Sequence, residues 1–163
     1  MMPIENYFQY VTHRQDGLLA FHTKWIDKFN LAAGSAIKHH AWPGGYRDHL
    51  EQCMKIAQKL YDFKFDFSFE SVIMVIYFHD IEKMFRYVPV GSYVIPDKWK
   101  FYNETLPDVY GIRFTEQELN GLKYVHGEGE DYSPTQLVMN SLAAFCHSCD
   151  VISARCFYDK KDI

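Results

Sequence analysis

The sequence predicts an all-α domain, and three observations carry that expectation. Apolar residues recur at helical spacing in several separate windows. N-cap signatures stand in front of some of those windows. Proline and glycine punctuate between them, with little of the two-residue alternation of half-buried strands.

The first window is 17–30, where Leu18, Leu19, Phe21, Trp25, Ile26 and Phe29 fall on one helical stripe. It ends at HHAWPGGYRD, where Pro43, Gly44 and Gly45 interrupt. A second helix is expected from near Asp48, with Leu50, Cys53, Met54, Ala57, Leu60 and Tyr61 at positions i, i+3, i+4 and i+7. Ser68 is a suitable cap for a third helix through Phe78. Its stretch VIMVIYF is apolar all round, as a central buried helix would be, although its β-branched content makes a strand the rival reading. Residues 87–114 show no strong period and read as an irregular insertion, in which VPVGSYVI could form a small β-hairpin. Thr115 and Glu118 form a capping box that opens a helix to about Val125. Ser133-Pro134-Thr135-Gln136 reads as a second box, opening a last helix to about Tyr158.

The chain has 163 residues, 48% of them hydrophobic, which is enough for one domain with a real core and too apolar for a disordered chain. Seventeen Lys and Arg against 21 Asp and Glu give a net charge of −4, a poor match to non-specific nucleic-acid coating. No apolar run approaches the roughly 20 residues of a membrane helix, so no membrane partner is expected. The N-terminal MMPIENYFQYVTHRQDG does not read as a signal peptide, and the four cysteines lie inside helical patterns. Both point to a reducing, cytoplasmic setting.

Function is expected where charge meets apolar sequence. His79 and Asp80 follow VIMVIYF directly, and Asp150 lies in SLAAFCHSCDVISA, which has no other acidic residue. An ionised carboxylate in such surroundings loses several kcal/mol of hydration unless a partner compensates (roughly, from transfer energies). His147 and Asp150 share a helix face at i, i+3. His79 and Asp80 are about 100° apart and reach one ion most easily near a helix end. His49 enters at the start of its own helix, just after the Gly-Gly break. Imidazole and carboxylate donors without thiolate suit Mn, Fe, Co, Ni or Zn, and an open position would hold a water activated as a hydroxide nucleophile. Cys146 and Cys149 form a C-x-x-C, but no second pair stands at zinc-finger spacing. Buried small side chains are the expectation there.

The ordered segments HHAWPGGYRDHL, FHDIEK, YVHGEGEDY and HSCDVISAR resemble the HD-domain superfamily of metal-dependent phosphohydrolases over about residues 39–155. The resemblance implies a single HD-type helical bundle spanning 1–163. It places metal ligands on His49, His79, Asp80 and Asp150, and a second metal or the substrate phosphate on His126 and His147. The ion implied is a divalent Mn, Fe, Co, Ni, Zn or Mg. Lys83 and Glu82 are the expected catalytic side chains, Lys83 for phosphate and Glu82 for water, and Arg47 and Arg86 the expected substrate contacts. Glu82 stands where the family's HDIGK has glycine. The motifs are most similar to the HD module of bacterial 3′→5′ exoribonucleases, whose additional OB domain this chain has no room for.

The implied activity is hydrolysis of a phosphate ester, most simply of a small nucleotide. A 3′→5′ nuclease, a cyclic-nucleotide phosphodiesterase and a catalytically silent metal-binding module remain alternatives, and a homo-oligomer is compatible with each. The aromatics Tyr93, Trp99, Phe101, Tyr102 and Tyr110 could stack a base or pack on the core. His39 and His40 could reach the mouth of the site, while His13 and His22 read as structural or surface residues.

Overall fold

The computed structural model describes residues 2–87 and 97–158, and the chain there is helical, with no strand among the described residues. The long helices are α1 (Gln15–Leu31), α2 (Gly45–Leu60), α3 (Phe69–Phe78), α7 (Glu116–Tyr124) and α8 (Ser141–Cys156). Short turns fill the connections: α4 (Lys83–Arg86), then α5 (Lys98–Lys100), a π-helical turn (Phe101–Thr105) and α6 (Leu106–Tyr110) in near-continuous succession. An N-terminal 3-10 segment, Ile4–Tyr10, precedes them.

Helix α3 is the axis of the molecule. Every residue from Ser71 to Phe78 is buried, so its uniform apolarity reflects neighbours on all sides. Ser68 caps it by accepting from the Ser71 amide at 3.1 Å. Helix α7 closes onto it at Gly121, where an added Cβ would lie 2.8 Å from Val75 Cγ2. The Thr115–Glu118 capping box is present as the sequence predicts. Its Glu118 also joins Glu70 in gripping Arg14: Arg14 Nη1 donates to Glu118 at 2.7 Å and Nη2 to Glu70 at 3.0 Å. That partly buried triad ties the start of α1 to α3 and α7.

Two expectations need correction, and a third falls on residues not described. Residues 98–110 are helical rather than irregular, because three short turns interrupted by Pro107 give no sustained period. The hairpin expected at VPVGSYVI lies outside the described residues. The last helix starts at Ser141, with Asn140 as its cap accepting from the Ala143 amide at 2.8 Å. Ser133 Oγ accepts from the Thr135 and Gln136 amides in an isolated turn instead.

Segment 98–102 serves the end of α3. Tyr102 donates its hydroxyl to Phe78 O at 2.5 Å, and Lys98 Nζ donates to His79 O. Two carbonyls that a helix C-terminus leaves without intrahelical partners are thereby satisfied, which anchors His79 and Asp80 as the chain leaves the helix.

Candidate metal centre

Three helices deliver the four ligands expected from the sequence to one place. His49 comes from the first turns of α2, His79 from the C-cap of α3 with Asp80 next to it, and Asp150 from the middle of α8. Their donor atoms form a closed ring. His49 Nε2 is 3.0 Å from Asp150 Oδ1, which is 3.7 Å from His79 Nε2. His79 Nε2 is 3.2 Å from Asp80 Oδ2, and that oxygen is 3.9 Å from His49 Nε2. Ligands about 2.0–2.2 Å from one ion stand about 3.0–3.5 Å from each other; two of the four spacings fall in that range, and the other two, 3.7 and 3.9 Å, are slightly wider. His79 Nε2 is buried without a hydrogen-bond partner, as a donor atom reserved for an ion would be, while the buried Asp80 Oδ2 stands against the Lys83 ammonium.

The rings are held from behind. His79 Nδ1 donates to Ile76 O at 2.7 Å, which leaves the Nε2 lone pair facing the cluster. His49 Nδ1 lies 2.9 Å from Ser153 Oγ, whose hydroxyl donates to Gln52 Oε1 at 3.0 Å. The serine oxygen therefore accepts from His49, and His49 Nε2 is left as a lone pair aimed at Asp150. The residues present fit a divalent cation of the Mn-to-Zn series.

Electrostatics agree with that fit. Burial would raise the Asp80 carboxyl, but His79, a hydrogen bond from His126, and Lys83 hold it well below the usual carboxylate range. Asp150 is likewise held low, against burial, by its contacts with His49 and His79. Burial works against charging His79 too, yet Asp80 and Asp150 raise it to about 10. His49, fully buried, is pushed down to about 4 despite Asp150. Without an ion, the Lys83 ammonium and a proton on His79 Nε2, where the lone pair would otherwise face the cluster, compensate the two carboxylates.

Above the ring lies a cleft of about 470 Å³, lined by Lys38, His39, His126, His147, Asp150 and Arg155 together with Tyr158 and small apolar side chains of α8. His126 is half exposed, with Nε2 3.3 Å from the second oxygen of Asp80. His147 Nδ1 donates to Val125 O at 2.7 Å, which turns Nε2 away from that carbonyl. Three sets of donors lie within 4.8 Å of one another: His49/His79/Asp150, His79/Asp80/His126 and His39/His40/His49.

The remaining expected site residues divide. Lys83 is at the centre, but Nζ meets Asp80 Oδ2 at 2.5 Å rather than lining the cleft. Glu82 faces Lys98 across 3.4 Å and is absent from the cleft wall, so the water-orienting position expected of it is not where it stands. Arg47 is turned away from the cluster: it donates to Glu51 at 2.8 Å, to Asn30 at 2.7 Å and to Glu5 at 2.7 Å. Two residues before His49 on one helix is about 200°, the opposite face. Arg86 is exposed and lies over the Tyr87 ring. The C-x-x-C cysteines are buried free thiols, with burial pushing Cys149 up to about 12, so neither offers a thiolate.

Sequence reasoning passed over Lys38, Gln52, Ser153 and Arg155. The signal for two of them was present, since Gln52 and Ser153 stand three residues after His49 and Asp150 of the cluster on the same helix faces. His22 is structural, buried between Tyr77 and Glu5.

Fold and site together define an all-α protein with a His/Asp cluster able to hold a metal ion. Comparison of the chain with protein-family models, with curated proteins and with solved structures gives no match. No helix among the described residues is long and apolar enough to cross a membrane.

Proposed function

We propose that the protein is an HD-type metal-dependent phosphohydrolase that cleaves a phosphate ester of a small nucleotide. The observation that carries this reading is the closed ring of His49, His79, Asp80 and Asp150 donor atoms beneath an open cleft. A divalent ion in that ring would polarise a phosphoryl oxygen and acidify a bound water. The other duties fall to side chains. Lys83 keeps Asp80 ionised. Lys38 and Arg155 bring positive charge to the cleft for phosphate oxygens. Hydrolysis joins a water oxygen to phosphorus and breaks the bond to the leaving oxygen, which must gain a proton. His126 is our choice as donor, because it reaches Asp80 at 3.3 Å while remaining open to the cleft. A cleft of about 470 Å³ suits a mononucleotide better than a polymer.

The test is phosphate release across a nucleotide panel with Mn, Co, Ni, Mg and Zn, alongside elemental analysis of the purified protein. Asp80→Ala is expected to abolish both turnover and bound metal. An ion at about 100 times its Kd should stabilise the wild type by about 2.7 kcal/mol, and Asp80→Ala not at all. Degradation of oligonucleotides in preference to mononucleotides would replace the substrate. A metal-loaded protein inert toward every phosphoester would reject catalysis.

A further inference from the structure

Behind the metal centre runs a second hydrogen-bonded chain that meets the first at one atom. Gln52 Oε1 receives the hydroxyl of Ser153 at 3.0 Å and lies 2.9 Å from His40 Nε2. A carbonyl oxygen only accepts, so His40 Nε2 carries the proton and its Nδ1 is a lone pair. His39 Nδ1 lies 3.1 Å from that Nδ1. One proton fits between them, and it belongs to His39, whose Nε2 is then also a lone pair. Gln52 thus stands at the fork of two chains. One ends at His49 Nε2 on the ion position, and the other at His39, which lines the cleft.

We infer that Gln52 is a positioning residue that locks the tautomers of His49 and His39 together, so that one buried carboxamide oxygen presents both an ion-ligating lone pair and a hydrogen-bond acceptor in the cleft. The inference rests on the metal-centre reading of the His/Asp ring but not on any hydrolytic activity. Reversing the carboxamide would reverse both chains: an amide nitrogen donating to Ser153 and His40 would put protons on His49 Nε2 and His39 Nε2 and close the site to a cation. Gln52, His40 and Ser153 are all buried, so water does not substitute for the missing acceptor.

The consequence for the substrate is specific. With His39 as acceptor and Lys38 and Arg155 nearby in the same cleft wall, the bound molecule offers a hydroxyl or amino donor to His39 and an anion to the cations.

The experiment reads tautomers directly. Imidazole ¹⁵N spectra of the zinc-loaded wild type should show His49 protonated at Nδ1 and His39 protonated at Nδ1 with a free Nε2. A His39 protonated at Nε2 overturns the inference, whatever the enzyme assays give. Gln52→Leu should lose the His39 preference and bind zinc roughly 10- to 100-fold more weakly, the usual effect of removing such a support. Gln52→Glu, which keeps an acceptor at the fork, should restore the His39 tautomer and bring zinc affinity to within about threefold of wild type. A folded Gln52→Leu protein that binds zinc as tightly as wild type would also overturn it. Absence of phosphoester hydrolysis with these tautomers and affinities intact would reject the catalytic reading alone.

Discussion

The carbonyl oxygen of His40 lies 2.0 Å from the point where a β-carbon on Gly45 would stand. This close approach brings the loop carrying His39 and His40 down onto the first turn of α2, from which His49 reaches the His/Asp cluster. Gly34 helps hold the loop by donating its amide to the same His40 oxygen at 2.8 Å, and His40 itself takes a left-handed backbone with φ 56°. Gly45→Ala must therefore push the loop away. We expect it to lose about 1–3 kcal/mol of stability. Zinc affinity should fall with it, because the support of His49 runs through this junction. Calorimetric zinc titration beside a thermal melt checks both; unchanged affinity in a folded variant would disprove the coupling.

Arg47 should behave as a structural residue. Its guanidinium joins Glu5, Asn30 and Glu51, which fastens the N-terminal 3-10 segment to α1 and α2. Arg47→Ala is expected to destabilise by about 1–3 kcal/mol, since Glu51 is largely buried and loses a partner. Turnover measured well below the melting temperature should keep its wild-type KM. A large rise in KM would return Arg47 to the substrate.

Lys38 and Arg155 should show the reverse pattern. Both are exposed in the cleft wall. Lys38→Ala and Arg155→Ala are each expected to raise KM by up to about fivefold, corresponding to about 1 kcal/mol for an exposed ionic contact, with kcat nearly unchanged. The effect should shrink as salt is raised, because exposed charges are screened. Steady-state kinetics at two ionic strengths decides, and a loss confined to kcat would count against this assignment.

Acid should destabilise the metal-free protein in two stages. Burial lowers His22 below its ordinary 6.5, so protons favour the unfolded chain as pH falls below that value. Glu70 is raised by burial but lowered further by the Thr12 amide, the Arg14 guanidinium and the Thr12 hydroxyl. A carboxyl whose folded pKa lies below its unfolded 4.5 stabilises above 4.5 and loses that contribution as pH drops through the folded value. Glu70→Gln should be less stable than wild type at pH 7 by about 1–3 kcal/mol. The difference should narrow below pH 4.5 in thermal melts from pH 3 to 7. Parallel curves over the whole range would contradict the assignment.

Much of this was legible in the sequence because the relevant forces are local. Ser68 and the Thr115–Glu118 box mark true helix starts, since each precedes a stretch with an apolar face to bury. Ser133 carries the same signature and opens no helix. Residues 134–137 are exposed, Leu137 at 90%, so nothing offsets the cost of nucleation there. The His/Asp cluster was readable because charge inside apolar sequence demands compensation. Arg47 was misread because nearness in sequence to His49 says nothing of the helix face. Gln52 was invisible for a different reason. A neutral amide on an amphipathic helix looks like surface, and only the arrival of Ser153 from 101 residues away gives it a role.

The ring of donors draws on α2, α3 and α8, so its members are separated by as much as the distance from residue 49 to residue 150. A chain still emerging from the ribosome could not close the ring around an ion until α8 has emerged, and a copy cut short before α8 carries two histidines and one aspartate with nothing to close them. Acquisition of the metal would then mark completion of the fold, a built-in checkpoint that separates finished molecules from partial ones.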